Sequence, residues 1–277
     1  MNHIAQVQQG PIEYRLAGQG APVLVLNGGH THCQSPLGSE PFFLAHGYQL
    51  IIPSRPGYGR TPSSTGKTAE ACADALTSLL DGLRLSQAIV VGISGGGPTA
   101  LQLAGRHPKR VSRLILQNAV TGGVFPSRAV RLGAYLIFNR WVEGGTWAGF
   151  RAFVRAAPRT ALRTMLGSLT TLDAAQVVAG MSPAQQQAAL AMLVASRSGA
   201  GFLNDLHHRC GDLRRITAPS LVIRSRYDGS MDATHAYYAA DHIPNAELFI
   251  CAAESHLLWF SDYNAAVEEK MLAFLSA

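Results

Sequence analysis

The sequence predicts an α/β fold: a mostly parallel, twisted sheet flanked by helices, with a helical insertion after the sixth strand. Three observations predict it. Short runs of wholly apolar residues, such as residues 22–26 and 88–91, alternate with stretches of helical spacing. Strands that are apolar on both faces belong to parallel sheets covered on both sides. One such run enters a Gly-Ile-Ser-Gly-Gly turn and then a helical stretch, and between residues 121 and 206 the alternation stops and only helical patterns occur.

The elements follow in order. Residues 3–8 and 12–16 flank Gly10-Pro11 and read as a β-hairpin at the sheet edge. Residues 22–26 form a buried strand that ends at Asn27-Gly28-Gly29-His30, and a short helix is expected around residues 41–46. Residues 48–53 are the next strand, followed by the turn-rich Arg55-Pro56-Gly57-Tyr58-Gly59 loop. Ala71, Ala75, Leu79 and Leu83 recur every four residues and predict an amphipathic helix over 67–83. Strands at 88–91 and 111–116 follow, with a helix between them. After the insertion the alternation resumes: a strand at 219–223, a helix at 233–241, a strand at 246–251 and a last helix over 261–275. The core therefore comprises residues 1–120 and 207–277, and residues 121–206 form a cap over one end of it. Removing the cap is expected to change substrate choice more than the catalytic geometry beneath it.

Bulk properties exclude several classes. The chain has 277 residues, 47% of them hydrophobic and 14% charged, as a folded domain requires. The formal net charge of +6 is mild and scattered. Arg151, Arg155, Arg159 and Arg163 recur every four residues and predict a solvated basic stripe if the helix continues through Pro158. No basic–aromatic interleaving points to nucleic acid. The four cysteines, at 33, 72, 210 and 251, form no C-x-x-C pair and read as free thiols in a reducing compartment. No apolar leader opens residues 1–16, and no run nears the ~18 apolar residues of a membrane span. A cytoplasmic protein is expected, bound neither to a membrane nor to nucleic acid. No heptad seam marks an oligomer.

The chemistry centres on Gly92-Ile93-Ser94-Gly95-Gly96. A G-x-S-x-G turn between a buried strand and a helix is the setting of a nucleophile elbow. A phosphate loop is excluded, because no Gly-Lys-Ser/Thr ending follows and Ser94 occupies the second glycine position of G-x-G-x-x-G. A serine hydroxyl needs a base, and the base needs an orienting acid. Among ten histidines, His256 lies just past the last strand, where a loop can reach over the sheet edge. His235 and His242 fall in a predicted helix and read as surface residues. Asp228 follows the strand at 219–223 and is the expected acid; Asp232 is the alternative, or else a helix cap. The backbone N–H groups of Gly95 and Gly29 are the expected oxyanion donors.

With Asn27-Gly28-Gly29, Arg55-Pro56-Gly57-Tyr58-Gly59, the Ser94 turn, Asp228 and His256 in this order, the chain resembles the α/β-hydrolase superfamily nearly end to end. The resemblance implies a cofactor-free serine hydrolase with a helical cap. Ser94 at the nucleophile position argues against the dehalogenase and epoxide hydrolase branches, which carry Asp there. Three departures stand out. Asn27 replaces the usual His before the oxyanion glycine. Ser255 replaces Gly before the base, and Glu254 puts a carboxylate near His256, which on contact would raise its pKa. Arg224-Ser225 replaces the frequent His-Gly ahead of the acid.

The expected partner is a small-molecule substrate. Phe125, Tyr135, Phe138, Trp141, Trp147, Phe150 and Phe153 in the insertion, with Trp259 and Phe260, suggest walls for an apolar acyl or aryl group. His30 and His32 are candidate pocket residues. Hydrolysis of a carboxylic ester is the first reading; C–C hydrolysis or acyl transfer uses the same residues. A non-catalytic small-molecule receptor is the reading from another class.

Overall fold

The computed structural model describes residues 2–122, 126 and 128–277. Its strands are β1 (Asn2–Val7), β2 (Gly10–Ala17), β3 (Ala21–Leu26), β4 (Tyr48–Pro53), β5 (Ala88–Ile93), β6 (Val111–Gln117), β7 (Ser220–Ser225) and β8 (Ala246–Cys251). They form one sheet in the order β1-β2-β4-β3-β5-β6-β7-β8. β1, β2 and β4 pair antiparallel, and every pair from β4 to β8 is parallel.

The helices are α1 (Glu40–Ala45), α2 (Ala69–Gly82), α3 (Gly97–Arg106), α4 (Arg128–Ile137), α5 (Glu143–Ala156), α6 (Pro158–Gly167), α7 (Ala174–Gly180), α8 (Pro183–Ala195), α9 (Gly201–Asp205), α10 (Ala233–His242) and α11 (Asn264–Ser276). Local chemistry sets several starts. Thr68 accepts the Ala71 N–H and opens α2. Ser182 and Gln185 form a reciprocal capping box with Pro183 at the first turn of α8. The last helix starts at Asn264, three residues later than its apolar pattern suggests. Residues 258–260 make a separate 3-10 turn, and the Ser261 hydroxyl accepts the Tyr263 N–H.

β3 shows why the sheet is covered on both faces. Leu24 and Leu26 pack with Leu76 and Leu79 of α2 and Leu101 and Leu103 of α3. Val23 and Val25, pointing the other way, pack with Phe42 and Phe43 of α1 and Val267 and Met271 of α11. All four strand residues are fully buried, so the period-two alternation carries no polar face.

Helices α4 to α9 lie between β6 and β7. Val154, Leu162, Leu166, Val178, Ala189 and Leu193 form their own small core. The expected arginine stripe does not form on one helix. The helix stops at Ala156 and restarts at Pro158, so Arg151 and Arg155 lie on α5 while Arg159 and Arg163 lie on α6. Gly123 and Phe125 lie outside the described residues. The insertion is also tied into the core. Thr170 pairs with Asp228 as an isolated β-bridge. The Leu169 carbonyl accepts the N–H groups of Gly229 and His256, and the Thr170 hydroxyl donates to the Glu254 carbonyl. Removing residues 121–206 would therefore strip hydrogen bonds from the loops that carry Asp228 and His256.

Candidate active site

β5 runs into a 3-10 turn over Ser94–Gly96, and α3 follows at once. Ser94 has φ +49°, the left-handed conformation that side chains disfavour and that clusters at functional sites. The turn is possible because glycines surround it. A β-carbon on Gly92 would lie 2.7 Å from Ala100 Cβ, and one on Gly96 would lie 2.1 Å from the Leu26 carbonyl oxygen. Gly96→Ala is expected to cost about 2 kcal/mol or more in urea unfolding, because backbone must move. Gly82→Ala, where a β-carbon meets nothing within 4 Å, is expected to be neutral or stabilising. Equal effects of the two would remove the steric account.

The loops after β7 and β8 bring the acid and base candidates together. His256 Nδ1 lies 2.8 Å from Asp228 Oδ2, with both side chains buried. A carboxylate accepts, so the imidazole presents Nδ1–H to it and keeps Nε2 for the site. The other oxygen, Asp228 Oδ1, accepts from the N–H groups of Ser230 (2.7 Å) and Met231 (2.9 Å). Asp232 is exposed and caps α10 by accepting the Thr234 N–H. Asn118 fastens the arrangement: its Nδ2 donates to the His256 carbonyl at 2.7 Å, and its Oδ1 accepts the Ser225 N–H at 2.8 Å. Two residues on, the Val120 N–H donates to the Ser94 carbonyl. Ser225, one of the departures noted above, donates to the Ala253 carbonyl at 2.6 Å and so links the acid and base loops. Ser255 accepts the Leu257 N–H.

Among the described residues, Glu254 makes no hydrogen bond or ion pair with His256. It lines a cleft of about 290 Å³ with Gln176, Met181, Gln185 and Asp262. His235 corrects the surface reading. It is buried, and its Nδ1 accepts the Thr121 N–H just past β6.

The loop after β3 meets the Ser94 turn. Gly28 faces Ser94, since a β-carbon there would lie 3.1 Å from Ser94 Cβ. The Gly29 nitrogen lies 3.5 Å from where a β-carbon of Gly95 would sit. Arg55, almost fully buried, donates from Nε to the Asn27 carbonyl (2.8 Å) and from Nη2 to the Gly28 carbonyl (3.0 Å). Its guanidinium also forms a two-pronged pair with Asp205 at the end of α9, at 2.5 and 2.8 Å. The Tyr58 hydroxyl donates to the same carboxylate. The Asp205 charge beside it raises the Arg55 pKa although burial opposes it.

His30 sits in an aromatic cluster, with ring centroids 4.4 Å from Phe202, 4.9 Å from Phe138 and 5.3 Å from Trp147. Burial pushes its imidazole pKa down to about 4, so it is neutral at neutral pH. Trp147 Nε1 donates to the Ser198 hydroxyl, which lies 2.7 Å from His30 Nδ1. Other pocket candidates lie elsewhere. His32 accepts the Gln34 N–H, and burial lowers its pKa. Trp259 leans on Gly38, where a β-carbon would lie 2.0 Å from its ring. Trp141 is 81% exposed and its ring lies under the Arg140 guanidinium.

The family described as alpha/beta hydrolase fold matches residues 21–263. The chain belongs to that family. The hydrolase is 35% identical over 274 residues to the uncharacterized hydrolase YcgS of Bacillus subtilis, covering 97% of this chain and 96% of that protein. It is 30% identical over 244 residues to a 2-hydroxymuconate semialdehyde hydrolase of Pseudomonas putida, covering 86% and 82%. A solved structure of an alpha/beta hydrolase fold protein from Nakamurella multipartita superposes with a TM-score of 0.83 at 27% identity, covering 99% of both chains. The chain is a hydrolytic enzyme, which sets aside the receptor reading.

Sequence reasoning missed Asp205, Ser198 and Phe202 of the hydrolase. Each lies in the insertion more than a hundred residues from its partner in the core, and no local spacing marks such a pair.

Proposed function

We propose that this hydrolase cleaves carboxylic esters of small to medium apolar acyl or aryl groups, through a Ser94–His256–Asp228 triad beneath a cap formed by residues 121–206. The observation that carries the reading is the buried Asp228–His256 pair, held by Asn118, together with a serine in the left-handed conformation of an elbow whose carbonyl accepts the Val120 N–H two residues past Asn118. All of these groups lie past the carboxyl ends of parallel strands, where α/β sheets place their ligands.

Ser94 Oγ adds to the ester carbonyl carbon while its proton passes to His256 Nε2. The carbonyl oxygen becomes an oxyanion between the N–H groups of Gly29 and Gly95, at the N-terminus of α3. As the tetrahedral intermediate collapses, the C–O bond to the alcohol breaks and His256 returns the proton to the departing oxygen. Water then attacks the acyl-Ser94 ester, giving its proton to Nε2. The Ser94–acyl bond breaks, and Ser94 recovers its proton as the acid leaves. No cofactor enters these steps. His30 is a neutral side chain of the substrate pocket, with Phe138, Trp147 and Phe202 as apolar walls.

A second reading is C–C bond hydrolysis, favoured by the semialdehyde hydrolase relative. It uses the same residues with a carbon leaving group. Four free thiols suit a reducing cytoplasm. Among the described residues no helix is long and apolar enough to cross a membrane.

A fluorophosphonate probe at pH 7 to 9 is expected to label Ser94, and His256→Ala to prevent it, as read by mass spectrometry of the adduct. A folded protein that takes no label, or takes it elsewhere, overturns the serine reading. Turnover of p-nitrophenyl esters against ring-cleavage products then separates the two substrate classes.

A further inference from the structure

We propose that Arg55, locked by Asp205 of the insertion, is the positioning residue that aims the Gly29 N–H into the oxyanion hole, so that the hole is complete only while α9 is docked on the core. The proposal rests on the serine hydrolase reading above.

In a trans peptide the C=O and the following N–H point in opposite directions. Whatever fixes the Gly28 carbonyl therefore fixes the Gly29 N–H. That carbonyl accepts two hydrogen bonds, from Arg55 Nη2 at 3.0 Å and from the Thr31 hydroxyl at 2.8 Å. The preceding carbonyl, of Asn27, accepts from Arg55 Nε at 2.8 Å. One guanidinium thus holds two successive carbonyls and prevents the glycine pair from rotating. Glycines need such a hold, because they restrict φ and ψ least of all residues.

The guanidinium is itself held. Asp205 takes Nη1 and Nη2, Tyr58 donates to the same carboxylate, and the Arg55 side chain is 1% exposed. A buried, two-pronged arginine–carboxylate pair fixes orientation as well as charge. Asp205 comes from the insertion, and α9 is otherwise fastened nearby: the Ala200 N–H donates to the Gly57 carbonyl, and Asn204 Nδ2 donates to the Gly66 carbonyl. Gly201 allows this approach, since a β-carbon there would lie 2.3 Å from the Tyr58 ring. Because Arg55 and Asp205 neutralise each other, their effect on the oxyanion is one of direction. Neither touches the reacting atoms in this mechanism.

The test is Arg55→Lys, which keeps the charge but cannot hold both carbonyls and Asp205 together, and Asp205→Asn, which loosens the guanidinium. Folding is checked by circular dichroism. The readouts are kcat and KM for a p-nitrophenyl ester and the inhibition constant of an alkylboronic acid, whose tetrahedral adduct on Ser94 places an oxygen in the hole. In Arg55→Lys, kcat is expected to fall roughly 30- to 300-fold with KM within threefold, and boronate inhibition to weaken in parallel; one lost oxyanion donor costs about 10²–10³. Asp205→Asn is expected to show the same pattern, smaller. Folded variants with kcat within threefold of wild type, or with lower kcat but unchanged boronate inhibition, would overturn the proposal. Failure of both variants to fold would assign the pair to stability and overturn it likewise. A wild-type enzyme that binds neither boronate nor fluorophosphonate would instead sink the serine hydrolase reading.

Discussion

Ser94→Ala is expected to lower kcat on the order of 10⁶-fold while leaving the fold and the melting temperature unchanged. The size follows from what is removed. Ser94 Oγ is the atom that forms the acyl bond, and triads act as a unit, so losing the nucleophile costs about as much as losing all three members. What survives is water attack assisted by the oxyanion donors, about 10³–10⁴ above the uncatalysed rate. The stability half follows from the turn. Serine at 94 already accepts φ +49° with a β-carbon in place, so alanine brings no new strain. No side-chain hydrogen bond from Ser94 is lost with it among the described residues. Activity assays with freshly purified variant, backed by fluorophosphonate labelling, check the first half; a thermal scan checks the second. Retention of more than about one per cent of wild-type turnover would move the nucleophile elsewhere, given the losses that triad deletions cause.

The parts of this molecule that were legible in the sequence share one property: their signal is local. The strands around 22–26 and 88–91 are buried on both faces, so their apolar runs are unbroken. Gly92 and Gly96 are written into the sequence because α3 and β3 approach the turn too closely for a β-carbon. The hairpin is marked by Gly10, at φ +129°. Elements past the insertion were equally readable, down to the Asp232 cap. The parts that were not legible depend on partners distant in the chain. His235 has the surroundings of a surface helical residue in sequence, yet it is buried and its Nδ1 accepts the Thr121 N–H from the chain past β6. Asp205 gives no sign in its own neighbourhood that Arg55 waits 150 residues away. The arginine spacing makes one stripe only if a helix runs through Pro158, and there periodicity alone does not decide: α5 ends at Ala156 and α6 restarts at Pro158. Trp141 and Trp147 look alike at helical spacing, but one is 81% exposed and the other buried. The ties between the insertion and the core are silent in the sequence for the same reason, since Leu169 and Thr170 bond to both loops of the candidate site through backbone atoms that no side-chain pattern encodes.

Asp228→Asn is expected to lower kcat by about 10⁴ with the fold intact, and the bonding of the carboxylate says why. Asp228 Oδ1 accepts two backbone N–H groups, from Ser230 and Met231. An asparagine at 228 must keep its oxygen there, because its NH₂ cannot accept and two buried donors would otherwise be stranded. The NH₂ then occupies the place of Oδ2, 2.8 Å from His256 Nδ1. It can only donate, so Nδ1 must accept and the imidazole proton moves to Nε2. That nitrogen is the one that must take the proton from Ser94, and in this tautomer it is already filled. The variant keeps every hydrogen bond of the acid loop and loses the base, which is why stability and activity should separate. Asp232→Asn supplies the comparison: it exchanges one good cap of α10 for another at an exposed position, so its kcat should stay within twofold of wild type. Steady-state kinetics of the two variants, with melting temperatures alongside, give the answer. If Asp232→Asn is the one that loses activity, the acid has been assigned to the wrong aspartate. If Asp228→Asn instead fails to fold, the loop depends on the carboxylate charge itself and not on the tautomer it imposes on His256.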